Sequence, residues 1–339
     1  MKAAVVTRFG PPSELKILEV PDPRPGDGEV LVRTRAIGLN FADLFARMGY
    51  YPSVPRPPFI PGIELTGVVE RVGPGVKNLK KGDRVFAVTK FNAYAEFVCA
   101  PATHTMLVPK RMSFEEAAAF TVTYLSAYHG LVTLAGLQRG EKLLVHAAAG
   151  GVGTAAIQIA RHRAAEIFAT AGSAEKLEVA RAQGAHHLVN YRTEDFAERV
   201  RATTRGSGVD VILDSVGGRI IRKGMGLLAP MGRYVLFGFA AVTGERRVKK
   251  LKALRELALT PMVFPQSLAT RNISFMGFNL FFLMHKVDYL RQAMETLLKL
   301  YRDRALRPFV GATYRFDRIA EAQAFLQSRK SVGKVVILL

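Results

Sequence analysis

The chain is poor in cysteine, tryptophan and acid. Of its 339 residues one is cysteine, Cys99, and none is tryptophan. A lone cysteine excludes an internal disulfide framework and any zinc site built from several cysteines, and it suits a reducing, cytosolic setting. Aspartate and glutamate number 28 against 48 lysines and arginines, a formal net charge of +20. Such an excess favours anionic partners: phosphorylated cofactors, acidic lipid surfaces or nucleic acid. No zinc finger, RNP-like aromatic motif or pure lysine/arginine tract accompanies the charge, so specific nucleic-acid recognition is not expected. The plain alternative is that excess arginine keeps the protein in solution. Long hydrophobic runs are missing too. No stretch of about 18 to 20 uncharged apolar residues occurs, so no spanning helix is expected. The apolar part of residues 1–8 is too short for a secretory signal.

With 49% hydrophobic residues the chain can bury a sizeable core, and its length points to two domains. The stretch that organises it is Leu143-Leu144-Val145-His146-Ala147-Ala148-Ala149-Gly150-Gly151-Val152-Gly153. An apolar run breaks into small residues and continues with helical spacing through Ile157, Ile159 and Ala160. The order is strand, tight turn, helix. Small residues there let backbone N–H groups approach a pyrophosphate, and the helix N-terminus adds partial positive charge. The dinucleotide fingerprint Gly-x-Gly-x-x-Gly stands as Ala148-Ala149-Gly150-Gly151-Val152-Gly153, with alanine in the first glycine place. Taken alone, such a match also fits an ordinary glycine-rich turn.

Residues 1–122 read as short strands punctuated by glycine and proline, which indicates a small barrel or sandwich. Ser113 and Glu116 have capping-box spacing and open the first helix; a second is expected over 123–133. Strands at 143–147, 166–171, 187–190, 209–214 and 233–237 then alternate with helices, and 273–278 supplies a last strand. Alternation on this scale means a parallel, doubly wound sheet. An amphipathic helix over 287–303 and a terminal strand follow. The fold class is therefore α/β. Its expected domains are 1–122 with 284–339, and 123–283 between them.

An NAD-binding fold of this kind carries an acidic residue about 20 positions after the glycine turn, to hold the ribose hydroxyls. Here the strand 166–171 is followed by Gly172-Ser173-Ala174-Glu175-Lys176. Glycine removes a carboxylate that would repel a 2′-phosphate. Ser173 can donate a hydrogen bond, Lys176 adds charge, and Tyr191 after the next strand offers a hydroxyl. These residues point to NADP(H); the alternative is that Lys176 is a solvated helix lysine beside Glu175.

Together these residues resemble the zinc-independent medium-chain dehydrogenase/reductases of the quinone oxidoreductase type, and especially the branch of the vesicle amine transport protein homologues. The resemblance spans the chain. It is carried by Gly38-Leu39-Asn40-Phe41-Ala42-Asp43, Pro61-Gly62-Ile63-Glu64, Gly82-Asp83-Arg84-Val85, the glycine turn, Asp214-Ser215-Val216-Gly217-Gly218 and Val332-Gly333-Lys334-Val335. It implies a GroES-like β-barrel domain joined to a Rossmann domain, with the active site in the cleft between them, and a homodimer paired around 273–278. It implies that Gly150, Gly151, Val152 and Gly153 hold a pyrophosphate and that Ser173, Lys176 and Tyr191 hold the 2′-phosphate. Phe237, Gly238, Phe278, Asn279, Leu280 and Lys334 match the rest of the cofactor envelope. Asn40, Asp43, Tyr51 and Ser126 match positions near nicotinamide and substrate. Zinc-dependent cousins place cysteine at Asn40 and histidine at Ile63, and neither residue here is a credible zinc ligand. No metal is expected. The implied reaction is hydride delivery to a quinone or an α,β-unsaturated carbonyl, with Asn40 and Tyr51 as catalytic candidates. Asn40 and Asp43 can equally serve only the local turn, and Tyr51 can be packing.

One stretch supports a reading of another class. In residues 246–259, Val248, Leu251, Leu254 and Leu257 recur at helical spacing among Arg246, Arg247, Lys249, Lys250, Lys252 and Arg255. A basic amphipathic helix of this kind lies on an anionic membrane surface or, with its apolar side packed, forms a wall of a cleft. On the first alternative the protein is a peripheral membrane or lipid-binding factor that retains a nucleotide site.

Overall fold

The computed structural model describes residues 1–242 and 258–339. The basic stretch expected over 246–259 lies outside the described residues, apart from its last two positions. The chain divides into two units, the first comprising residues 1–122, 284–294 and 308–339, the second 123–283 and 295–307. This grouping differs from the expected one at 295–307. There Leu297, Leu298 and Leu306 are buried, and the Gln158 carboxamide grips both the N–H and the carbonyl of Arg307, each at 2.8 Å.

The first unit begins with β1 (Lys2–Val6), β2 (Leu15–Glu19), β3 (Glu29–Gly38), β4 (Glu64–Val72), β5 (Arg84–Val88), β6 (Phe97–Pro101) and β7 (Thr105–Leu107). The second contains β8 (Lys142–Val145), β9 (Glu166–Ala171), β10 (His187–Asn190), β11 (Val209–Asp214), β12 (Leu228–Leu236) and β13 (Ser274–Gly277). The chain returns to the first with β14 (Val310–Arg315) and β15 (Lys334–Leu338).

In the first unit β3 is the hub. It pairs antiparallel with β4, with β6 and with the terminal β15, in a sheet of order β14-β15-β3-β4-β5-β7. Val30, Val32, Leu65, Val85, Val98, Val335 and Ile337 bury their side chains in one core, so the first and last parts of the chain share it. The β1–β2 ribbon joins through single bridges from Ala3 to Ala95 and from Val6 to Phe59. Helix Phe41–Arg47 follows β3 directly.

Among the described residues the six strands of the second unit run parallel, in the order β10-β9-β8-β11-β12-β13. Parallel strands need crossovers, and helices Gly151–His162, Ala174–Gln183, Phe196–Thr203 and Ile220–Met225 supply the four from β8 to β12. Leu144, Phe168, Val189, Ile212 and Tyr234 from five adjacent strands fill the core below one face. The strand order reverses between β8 and β11, and in such sheets ligands bind beyond the carboxyl ends at that point. The helix expected over 123–133 is in two parts, an α-helix at Thr121–Tyr128 and a π-helical stretch at His129–Leu134.

Candidate nucleotide and active site

At the carboxyl end of β8 the chain turns sharply. Ala147 takes a left-handed φ of 51°, and Gly150 caps the helix Gly151–His162 in an extended conformation. The helix's first N–H groups have no partner within it. Gly153 is required by space: a Cβ there would sit 2.5 Å from the Ala147 carbonyl oxygen and 2.6 Å from that of Ala148. The turn is thus folded back on the helix so closely that no side chain fits. Ala155, Ala156, Ile157, Ile159 and Ala160 anchor the helix to the sheet. His146 precedes the turn, buried, with Nδ1 3.0 Å from Thr170 Oγ1 on β9. Desolvation holds its pKa below the usual imidazole value, so it stays neutral, and its Nε2 has no hydrogen-bond partner.

At the end of β9, Ser173 caps the helix Ala174–Gln183, its Oγ accepting from the Lys176 N–H at 3.4 Å. Lys176 therefore lies in the first turn of that helix. A Cβ on Gly172 would lie 2.6 Å from the Tyr191 hydroxyl and 3.3 Å from Arg192 Nε. Tyr191 and Arg192, from the segment after β10, are thereby placed over Gly172. Ser173, Lys176 and Tyr191 are assembled at one strand end, and Arg192, which the sequence reading missed, stands with them. Its signal was available: a second cation directly after Tyr191.

The ends of β11, β12 and β13 carry the next group. Asp214 is fully buried and accepts from the N–H groups of Val216 (2.6 Å) and Gly217 (3.1 Å) and from the Tyr234 hydroxyl (2.7 Å). That carboxylate fixes the loop beside the glycine turn. Phe237 stacks on Phe278 with centroids 5.5 Å apart, and the His129 ring meets Phe278 edge-on at 4.7 Å. A Cβ on Gly238 would meet the Ser215 carbonyl oxygen at 2.5 Å. Asn279 Oδ1 accepts from Phe281 N–H at 3.1 Å and turns the chain into the 3-10 turn Leu280–Leu283. Phe237, Gly238, Phe278, Asn279 and Leu280 thus gather at one edge of the sheet. Ser126 is buried on the helix Thr121–Tyr128, three residues before His129.

A second cluster lies in the first unit. Asn40 caps the helix Phe41–Arg47, and its N–H donates to Asp43 Oδ2 at 2.8 Å. The same carboxyl oxygen accepts from the Tyr94 hydroxyl at 2.8 Å, while Asp43 Oδ1 is buried without a partner. Burial pushes the Asp43 pKa up from 3.8 to about 7, partly offset by the donors from Asn40 and Tyr94. Asn40 Nδ2 donates to Glu64 Oε1 at 2.8 Å and to the Gly38 carbonyl at 3.2 Å. Lys334 Nζ donates to Asn40 Oδ1 at 2.6 Å and forms a 2.5 Å ion pair with Glu64. The Glu64 and Lys334 side chains are 1% and 4% exposed, whereas Asn40 is half-buried. The structure therefore brings Asn40, Asp43 and Lys334 together and adds Glu64 and Tyr94, which the sequence reading had not assigned. Tyr51 is half-buried in the bend that follows the helix, its carbonyl accepting from Val54 N–H at 3.3 Å. Among the described residues no three histidine, cysteine, aspartate or glutamate side chains are grouped to hold a metal ion. Cys99 is half-buried, and desolvation raises its pKa to about 11, away from thiolate chemistry. No helix among the described residues is long and apolar enough to cross a membrane.

Residues 26–110 match the family described as alcohol dehydrogenase GroES-like domain, and residues 151–299 that described as zinc-binding dehydrogenase. The chain is 38% identical to the human (Homo sapiens) synaptic vesicle membrane protein VAT-1 homolog over 347 residues, covering 100% of this chain and 86% of that protein. It is 33% identical to the quinone oxidoreductase of Lama guanicoe, covering 100% of this chain and 98% of that one. Among solved structures, Escherichia coli quinone oxidoreductase complexed with NADPH superposes with a TM-score of 0.89 at 30% identity, with 100% of each chain covered. CurK enoyl reductase superposes with a TM-score of 0.87 at 31% identity, covering 99% of this chain and 98% of that one.

Proposed function

Because the chain belongs to the zinc-independent quinone oxidoreductase branch of the medium-chain dehydrogenase/reductases, we propose that it is an NADPH-dependent reductase acting on a quinone or an α,β-unsaturated carbonyl compound. The observation that carries the reading is the end of β9. Tyr191 and Arg192 stand against Gly172, where a ribose-binding carboxylate would be, with Ser173 and Lys176 in the helical turn that follows it, and the nearby glycine turn is too tight for any Cβ at Gly153. These residues fit a 2′-phosphorylated dinucleotide: two cations and two hydroxyls for the phosphate, free helix N–H groups for the pyrophosphate.

When bound, the dinucleotide supplies the hydride. The protein's share is orientation, exclusion of water and one proton. Both N–H groups of the Asn40 carboxamide are committed to Glu64 and Gly38. The proton therefore comes from the Tyr51 hydroxyl or from solvent, and Asn40 acts by position. Asp43 and Lys334 face inward and serve by holding Asn40.

The test is NADPH consumption by purified protein, followed by absorbance, with a quinone and an enone offered in parallel and NADH run beside it. Turnover with either acceptor and preference for NADPH are expected. No turnover with both acceptors overturns the reading. The outer edge of β13 has no strand partner among the described residues, which supports a homodimer paired there; light scattering at a monomer mass would exclude it.

A second reading, attachment to an anionic membrane surface through residues 246–259, rests on the sequence of that stretch and on the name of the VAT-1 homolog. Absence of sedimentation with anionic vesicles at physiological salt rejects it.

A further inference from the structure

We propose that Glu64 and Lys334 are positioning residues that lock the Asn40 carboxamide in one of its two flips, so that Asn40 offers a bound dinucleotide an acceptor and no donor. The inference rests on the reading of Asn40 as a cofactor contact and states what kind of contact it makes.

An asparagine side chain has two N–H donors and an oxygen with two lone pairs. In Asn40 both donors are used, one on Glu64 Oε1 at 2.8 Å and one on the Gly38 carbonyl at 3.2 Å. One lone pair of Oδ1 receives the Lys334 ammonium at 2.6 Å. What remains for a ligand is the second lone pair of Oδ1. Reversing the amide would turn its NH2 toward the ammonium and its oxygen toward the Glu64 carboxylate, replacing two attractive contacts with two repulsive ones. The orientation, usually an assignment from the surrounding network, is here dictated by the charges on either side.

The lock is itself held rigid. Glu64 Oε2 accepts from Val122 N–H at 3.0 Å, which fixes the carboxylate plane. Lys334 is the first residue of β15, and its own N–H donates to the Phe309 carbonyl at 2.9 Å. The pair is almost fully buried, so its attraction is weakly screened. Gly38 completes the arrangement: a Cβ there would lie 2.6 Å from Glu64 Oε1, so only glycine leaves room for the carboxylate. Asn40 alone of the three is half-buried. A charged pair sits behind an amide, and the amide meets what binds. The group opposite Oδ1 must therefore carry an N–H or O–H, as the carboxamide of a nicotinamide does. A carbonyl oxygen of the acceptor is not accommodated there, so Asn40 does not polarise the acceptor.

The test compares the wild type with Asn40→Ala, Glu64→Gln/Lys334→Met and the triple variant combining them. The double change removes both charges at once and leaves no uncompensated ion, so it avoids the main route to misfolding. Glu64→Gln with Lys334 intact is the second variant, should the double one not fold. Two readouts are used: exchange of the Asn40 side-chain amide protons in the free protein, by NMR, and NADPH affinity, by fluorescence titration. The expectation is slow exchange of both amide protons in the wild type and faster exchange once the pair is removed. NADPH affinity should fall about tenfold in Asn40→Ala and similarly in the double variant. The triple variant should be no worse than Asn40→Ala, because residues acting through one group are non-additive. Wild-type affinity in a folded double variant, with Asn40→Ala impaired, overturns the lock alone. Unchanged affinity in Asn40→Ala overturns the reading of Asn40 as a cofactor contact. Amide exchange unaffected by removal of the pair overturns the lock whatever the affinities show.

Discussion

Asp43→Asn tests the electrostatics of the first-unit cluster. The Asp43 carboxyl is 1% exposed, accepts from Asn40 N–H and Tyr94 hydroxyl on one oxygen, and leaves the other unpartnered. Burial raises its pKa from 3.8 to about 7. Between those two values the folded chain binds the proton more tightly than the unfolded chain does, so stability falls as pH rises through that window and levels off above the folded value. At 1.36 kcal/mol per pH unit the full loss is roughly 4 kcal/mol, an upper figure because relaxation around the carboxylate reduces it. Asparagine keeps the acceptor for Asn40 N–H and Tyr94 and never ionises. The variant should match the wild type near about pH 4 and exceed it by a few kcal/mol near about pH 8, with a flatter profile between. Urea unfolding at several pH values measures this. Only the difference between the two proteins matters, because Glu14, Glu70, Glu141, Asp195 and Glu321 have lowered pKa values and contribute the opposite slope equally to both. Parallel profiles would refute the argument, for they would mean that Asp43 ionises in the fold as easily as in the unfolded chain.

Three further perturbations address the second unit. Gly153→Val places a branched side chain where even a Cβ is 2.5 Å from a carbonyl oxygen; it should cost about 1–3 kcal/mol of stability and abolish NADPH binding, read by thermal unfolding and titration. Lys176→Ala and Arg192→Ala should each weaken NADPH about 10- to 100-fold and leave NADH unchanged, since a charge-assisted hydrogen bond contributes about 1.5–3 kcal/mol; equal loss for both nucleotides would refute a 2′-phosphate role. Gln158→Ala removes partners from the Arg307 N–H and carbonyl and from the Tyr124 hydroxyl and should destabilise by about 2–4 kcal/mol, seen in the urea midpoint; a change under about 0.5 kcal/mol would mean water replaces the amide.

What could be read from sequence was what lies close together in it. β10 and β11 occupy the expected 187–190 and 209–214; in β11 the β-branched run between turn residues leaves few other conformations, and β10 follows from its Leu188-Val189 pair at the regular spacing of the alternation. The capping box of Ser113 and Glu116 forms as its spacing requires. The glycine turn and the Ser173 cap were legible for the same reason. The π-helical stretch at His129–Leu134 was not, since no local signal distinguishes it from a continuing α-helix. The first-unit cluster was legible only in part. Glu64 and Lys334 are 270 residues apart, and their pairing follows from β15 closing on β3 and β3 on β4, a topological fact without a motif. Tyr94 reaches Asp43 across 51 residues for a similar reason. An acid opening a strand whose first four residues are all buried and a lysine opening another buried strand were the available hints.

Burial is what makes the Asp43 carboxyl resist ionisation, and the distribution of charge around it shows why no cation fully offsets that burial. Two carboxylates, Asp43 and Glu64, are buried near one ammonium, Lys334, and the ammonium pairs with Glu64. Arg47 is fully buried one helical turn after Asp43, at a spacing that commonly forms an ion pair. Its guanidinium is directed elsewhere. Nε donates to Gln323 at 2.6 Å, one terminal nitrogen to Gln327 at 2.7 Å and the other to the Gly10 carbonyl. Arg47 thus spends its charge on neutral acceptors, and desolvation lowers its pKa to about 10. Asp43 in turn is served by neutral donors. Had the two paired, Asp43 would be ionised and its oxygens drawn toward the guanidinium, away from the Asn40 N–H. Kept apart, Asp43 holds the Asn40 backbone from below while Glu64 and Lys334 hold its side chain. The residue offered to a ligand is therefore fixed at both ends, with the Glu64–Lys334 ion pair directed at its amide.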